Sequence, residues 1–108
     1  MREIKKERVA EIIHRLAAKF AHEEGSAASL LTVTRVELSP TGKEVKIFFT
    51  TLPESQEDTA LKFLIRKTPE FKRYVRDESR IGLVPHIDFK IDYGERSRQR
   101  LDELSKEN

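Results

Sequence analysis

At 108 residues the chain is the size of one domain, large enough to bury roughly two-thirds of its unfolded surface in a single core. With 37% hydrophobic and 37% charged residues it is neither fibrous nor low-complexity, and the lack of Cys excludes a disulfide scaffold, a thiol nucleophile and Cys-ligated zinc or iron–sulfur sites. Twenty-one Lys and Arg against nineteen Asp and Glu leave only +2, so any surface for nucleic acid has to come from segregation of charge.

Residues 3–22 read as an amphipathic helix. Val9, Ile12, Ile13, Leu16 and Phe20 recur at helical spacing, with Lys5, Lys6, Glu7, Glu11, Arg15 and Lys19 on the other side, and Gly25-Ser26 ends it. Residues 30–38 are strand-like, but their alternation slips: Leu31 and Val33 share one parity, Val36 and Leu38 the other. A bulge near Arg35 restores the phase. Residues 39–43 are turn chemistry, and 44–50 alternate Val45, Ile47 and Phe49 against Lys46, Phe48 and Thr50, which predicts an antiparallel hairpin. From Ser55, a cap and an acidic first turn start a helix over 56–67 that carries Leu61, Leu64 and Ile65 inward. Pro69 breaks it, and Thr68-Pro69 supplies the N-cap and first position of a second helix over 69–80, with Phe71, Tyr74 and Val75 in the core and Gly82 closing it. Residues 86–93 are a strand in which Ile87, Phe89, Ile91 and Tyr93 alternate with His86, Asp88, Lys90 and Asp92. The last segment, 95–107, is a frayed charged helix with only Leu101 and Leu104 to dock it.

The order is α-β-β-α-α-β. A three-stranded sheet with helices on one face is an α+β arrangement, and this is the element order of a type II KH domain. Residues 1–94 are expected to form that single KH-like domain, with 95–108 a short charged C-terminal segment. No apolar run approaches the ~20 residues of a membrane span and Met1-Arg2-Glu3 begins no signal peptide, so a soluble cytoplasmic protein is expected. With no long exposed apolar stripe, a monomer is the default.

The strongest functional signal lies between Lys62 and Arg80. Seven basic residues (Lys62, Arg66, Lys67, Lys72, Arg73, Arg76, Arg80) against three acidic ones give this stretch +4, twice the charge of the whole chain. Lys62 and Arg66 share a helical face, as do Lys72, Arg73, Arg76 and Arg80, and such a stripe neutralises phosphates and releases counterions. An ordinary solvated face is the plainer alternative. The GxxG loop with which KH domains grip nucleotides is missing, since the interhelical position holds Lys67-Thr68-Pro69; contacts are therefore expected to the shape and backbone of folded RNA. Lys5, Lys6, Arg8, Lys43 and Lys46 are secondary RNA-binding candidates. Phe48 beside Lys46 on the open sheet face could stack a base, although a covered phenylalanine is the commoner case. Arg96, Arg98 and Arg100 are nearly cancelled by Glu95, Asp102 and Glu103.

Nothing in the chain proposes a reaction, a metal or a cofactor. His14, His22 and His86 are widely separated without metal-ligand spacing, His86 with Asp88 reads as a surface pair, and no nucleophile elbow, P-loop or dinucleotide fingerprint occurs.

Over about residues 3–104 the chain resembles the ribosome-binding factor A family. The resemblance rests on Arg8-Val9 in the opening helix, on 31–39 (Leu-Thr-Val-Thr-Arg-Val-Glu-Leu-Ser), and on Val45-Lys-Ile-Phe-Phe49. It continues in Pro85-His-Ile-Asp-Phe-Lys-Ile-Asp92, similar to the family's Pro-x-Leu-x-Phe-x-x-Asp, and in Arg100-Leu101-x-x-Leu104. The chain departs from the family at the interhelical kink, where Lys67-Thr68-Pro69 replaces Ala-x-Gly, and at Gly94, where the family has Ser. It also lacks the long extension after residue 104. The resemblance implies a non-catalytic factor that binds the free small (30S) ribosomal subunit. It would assist late maturation and 16S rRNA processing, including at the 5′ end, most of all in the cold, and leave with the help of a ribosome-assembly GTPase. The rival readings are a KH-like protein adaptor using the open sheet face around Phe48, and a small-molecule enzyme with an unrecognised pocket.

Overall fold

A computed structural model describes residues 5–25 and 30–106. The elements are α1 (Lys6–Glu24), β1 (Leu30–Leu38), β2 (Glu44–Leu52), a 3-10 turn (Glu54–Gln56), α2 (Glu57–Glu78), β3 (His86–Ile91) and α3 (Tyr93–Lys106). Strands run β1-β2-β3, with β1 antiparallel and β3 parallel to the central β2. The parallel pairing needs a long crossover, and α2 supplies it.

The hairpin forms as the pattern predicts. Gly42 takes the positive φ (74°) of the turn, and the register slips between Val33 and Arg35, leaving Thr34 as the extra residue. The bulge lets Leu31, Val33, Val36 and Leu38 all pack against the core despite their opposite parities. Val45, Ile47 and Phe49, each fully buried, form its floor, and α1 and α2 cover it through Ile13, Leu16 and Phe20 and through Leu64, Phe71 and Val75. Phe20, Phe71 and Phe89 meet in sequence, with ring centroids 5.2 and 5.7 Å apart.

Several local expectations are corrected. The two central helices of the α-β-β-α-α-β order are continuous, with Pro69 inside a single 22-residue helix. Thr68 is no N-cap: its hydroxyl donates to the Leu64 carbonyl at 2.9 Å, a bond made from within a helix. Core residues Ala60 and Leu64 before the proline and Phe71 and Val75 after it lie on one face, so burial on both sides holds the helix together across the missing donor. The N-cap of α2 is Gln56, not Ser55, which lies in the 3-10 turn. Ile65 is 58% exposed and not inward. The helix stops at Glu78, before Gly82. Strand β3 stops at Ile91, because Asp92 accepts a hydrogen bond from the Glu95 N–H at 3.0 Å and so caps α3; Tyr93 becomes helical and exposed. Finally, Leu101 and Leu104 do not dock α3, being 64% and 60% exposed; Arg96 pairs with Glu57 and Arg100 with Glu54 instead.

Candidate nucleic-acid interface

At roughly 100° per residue, Lys62, Arg66 and Arg73 fall on one outward face of α2, opposite Ala60, Leu64, Phe71 and Val75. All three are exposed, and none makes an ion pair among the described residues. Arg76 borders this face with Asp77 3.9 Å away. The other three candidates of the stretch point elsewhere. Lys67 turns toward α1, 3.9 Å from Glu24 and 3.4 Å from Glu70. Lys72 is half-buried on the opposite flank, and Arg80 lies beyond the helix end. Arg80, expected on one helical face with Lys72, Arg73 and Arg76, therefore lies outside the helix, which is a correction.

Lys5, Lys6 and Arg8 open α1 beside the β1–β2 turn that carries Lys43, and the Lys6 ammonium donates to the Pro40 carbonyl. Lys46 stands apart on the outer sheet face, in register with Glu37 on one side and Asp88 on the other. That face is cross-linked: the Arg35 guanidinium lies 3.8 Å from the Phe48 ring centre and pairs with Glu37 and Asp92, while Lys90 is 3.6 Å from Asp88. Phe48 is thus covered by Arg35, and its ring is no open stacking platform.

Two further exposed cations lie on α1. Arg15 and Lys19 of α1 are exposed and sit at helical spacing beside Ile12 and Leu16. The Phe20 side of α1 faces α2, because Phe20 touches Phe71 and Tyr74 whereas His14, on the opposite flank, reaches the Val33 carbonyl at 3.3 Å. Helical spacing puts both on the solvent side of an amphipathic helix, but it does not show which neighbour lies beyond.

Where the end of α1 approaches the first turns of α2, the described residues enclose a cleft of about 610 Å³. Thr59, Phe63 and Arg66 stand one above another on its α2 wall, Ala21 and His22 come from α1, and Leu31 from β1. Lys62 and Arg66 belong both to the cleft and to the outward basic face.

Just past the end of β3, Asp92 is 4% exposed. Burial pushes its carboxyl up, but hydrogen bonds from the Thr34 hydroxyl (2.6 Å), the Glu95 N–H and Arg35 outweigh that and hold it below the usual aspartate range. The bond from Arg100 likewise keeps Glu54 below the usual range, so Arg100 is neutralised within the fold, as is Arg98 by Glu95 and Asp102. Among the described residues no cluster of three metal-ligating side chains occurs, and no helix is long and apolar enough to cross a membrane.

A family model described as Ribosome-binding factor A matches residues 5–105. The chain belongs to the ribosome-binding factor A family. It is 29% identical to the ribosome-binding factor A of Coprothermobacter proteolyticus, a match covering 100% of this chain and 83% of that one. It is 28% identical to that of Coxiella burnetii, over 82% of this chain and 76% of that one. The crystal structure of ribosome-binding factor A from Thermus thermophilus shares the fold at a TM-score of 0.71 and 22% identity, covering 82% of this chain and 97% of that one. The KH-like α+β architecture is therefore that of the family. Where the resemblance places the family's Ala-x-Gly kink, this chain carries an uninterrupted helix through Lys67-Thr68-Pro69.

Proposed function

We propose that the chain binds the free small ribosomal subunit through folded 16S rRNA and assists its late maturation and rRNA processing, as a cytoplasmic, monomeric, non-catalytic factor. The observation that carries the contact is the outward face of α2, where Lys62, Arg66 and Arg73 are exposed without ion-pair partners among the described residues. Arg76, Lys67, Lys72 and Arg80 flank it, Arg15 and Lys19 extend it onto α1, and Lys5, Lys6, Arg8, Lys43 and Lys46 are secondary contacts. The chemistry is phosphate neutralisation by a rigid surface, which recognises RNA shape without a GxxG clamp. Occupying the RNA biases the subunit toward an immature conformation, a service most needed in the cold, and a ribosome-assembly GTPase drives release.

Co-sedimentation with separated small subunits, large subunits and intact ribosomes over a salt series tests this. Selective migration with free small subunits, lost steeply as salt rises, is the expected result. Equal binding to all three would reduce the reading to nonspecific basic attraction.

A further inference from the structure

We propose that the cleft between the end of α1 and the first turns of α2 receives one unstacked nucleobase of the bound RNA, with the adjoining phosphates held by Lys62 and Arg66. The inference rests on the RNA-binding reading above and adds a base-holding site to it.

The cleft is mostly apolar, with Gln56 and Thr59 among its polar lining, and cationic at its rim. Ala21, Ala60 and Phe63 line it, and Lys62 and Arg66 stand at its border with the exposed face of α2. Its volume of about 610 Å³ lies within the range of small-ligand sites and well above what a single planar base needs. A base offers a flat apolar body and a nucleotide an anionic link on either side; an aromatic wall with two cations at the lip complements both. The two cations also fix where the rest of the RNA runs. They belong to the same face as Arg73, so a strand that inserts a base at Phe63 continues along the proposed phosphate surface.

The test compares a perfectly paired RNA duplex with the same duplex carrying a single-nucleotide bulge. The wild-type protein is expected to prefer the bulged RNA by about tenfold, the size of one stacked base. Thr59→Trp, which places an indole at the cleft wall from an exposed position, is expected to abolish that ratio. A wild-type preference that survives in Thr59→Trp overturns the cleft and leaves the phosphate surface standing. Binding to neither RNA by the wild-type protein overturns the phosphate surface and the cleft together. A bulge carrying 5-iodouracil, irradiated on the wild-type protein, is expected to cross-link to the peptide containing Phe63, independently of how the variant folds. An adduct confined to other aromatic residues overturns the assignment. Adenosine and uridine monophosphates, titrated alone, separate the two sources of such a ligand: if they saturate the site as tightly as bulged RNA, the cleft serves a free nucleotide and the proposal falls.

Discussion

Asp92 joins three parts of the chain through one carboxylate: the bulge residue Thr34, the side chain of Arg35 and the first turn of α3. An unfolded aspartate titrates near ~3.9, and the folded one lies lower, so its contribution is fully present above the unfolded value and is lost as pH falls through the folded one. Asp92→Asn is expected to lose about 1–3 kcal/mol at pH 7, because an amide accepts these bonds less strongly and adds donors where only acceptors are wanted. The gap between variant and wild type should close as pH drops below about 4, which urea unfolding at several pH values would show. A gap as wide in strong acid as at neutrality would contradict the linkage. This part was half legible in the sequence. The slip in parity located the bulge, but nothing within residues 30–38 reveals that its hydroxyl bonds to a residue 58 positions later.

Helix α2 shows local and tertiary forces in opposition. Pro69 deprives the Ile65 carbonyl of its helical donor, and read locally it ends a helix. The core pattern of Ala60, Leu64, Phe71 and Val75 continues through it at one phase, and that pattern prevails. Pro69→Ala restores the donor at an exposed site, and the expected gain is about 1–2 kcal/mol, seen as a higher urea midpoint with unchanged slope. A lower midpoint would mean that the proline's fixed geometry is itself required. Helix α3 makes the complementary case. Its two leucines invite a hydrophobic docking, yet arginines hold it, because Glu54 of the 3-10 turn and Glu57 of α2 lie in places that the sequence does not disclose. Glu57→Ala is therefore expected to speed amide hydrogen exchange over residues 93–106 while leaving the main unfolding transition in place. Unchanged exchange there would assign the docking to other contacts.

Across the whole molecule a net charge of +2 conceals a strong separation. Cations on the outward face of α2 stand without ion-pair partners among the described residues, whereas those of α3 are engaged with Glu54, Glu57, Glu95 and Asp102. Arg66→Glu with Arg73→Glu is expected to weaken small-subunit binding and to lower its salt slope by about one unit for each phosphate no longer neutralised. Arg98→Glu, already neutralised by its neighbours, should change affinity less than about twofold. Equal effects in both variants would mean that the whole surface, not one face, attracts the RNA. Helical spacing made Lys62 and Arg66 readable as a pair. The turning of Lys67 toward Glu24, the covering of Phe48 by Arg35 and the cleft were not readable, since each joins residues distant in sequence. The bulge at Thr34, finally, decides where this strand can change length. Removing Thr34 would take out the unpaired residue and put Leu31, Val33, Val36 and Leu38 in one unbroken alternation, so the core contacts and the pairing with β2 survive and the loss is the hydroxyl donor of Asp92. Viable single-residue deletions in this hairpin should therefore collect at Thr34 and at the exposed turn of residues 40–43, and a deletion library scored for folding would show these two tolerant places separated by intolerant strand.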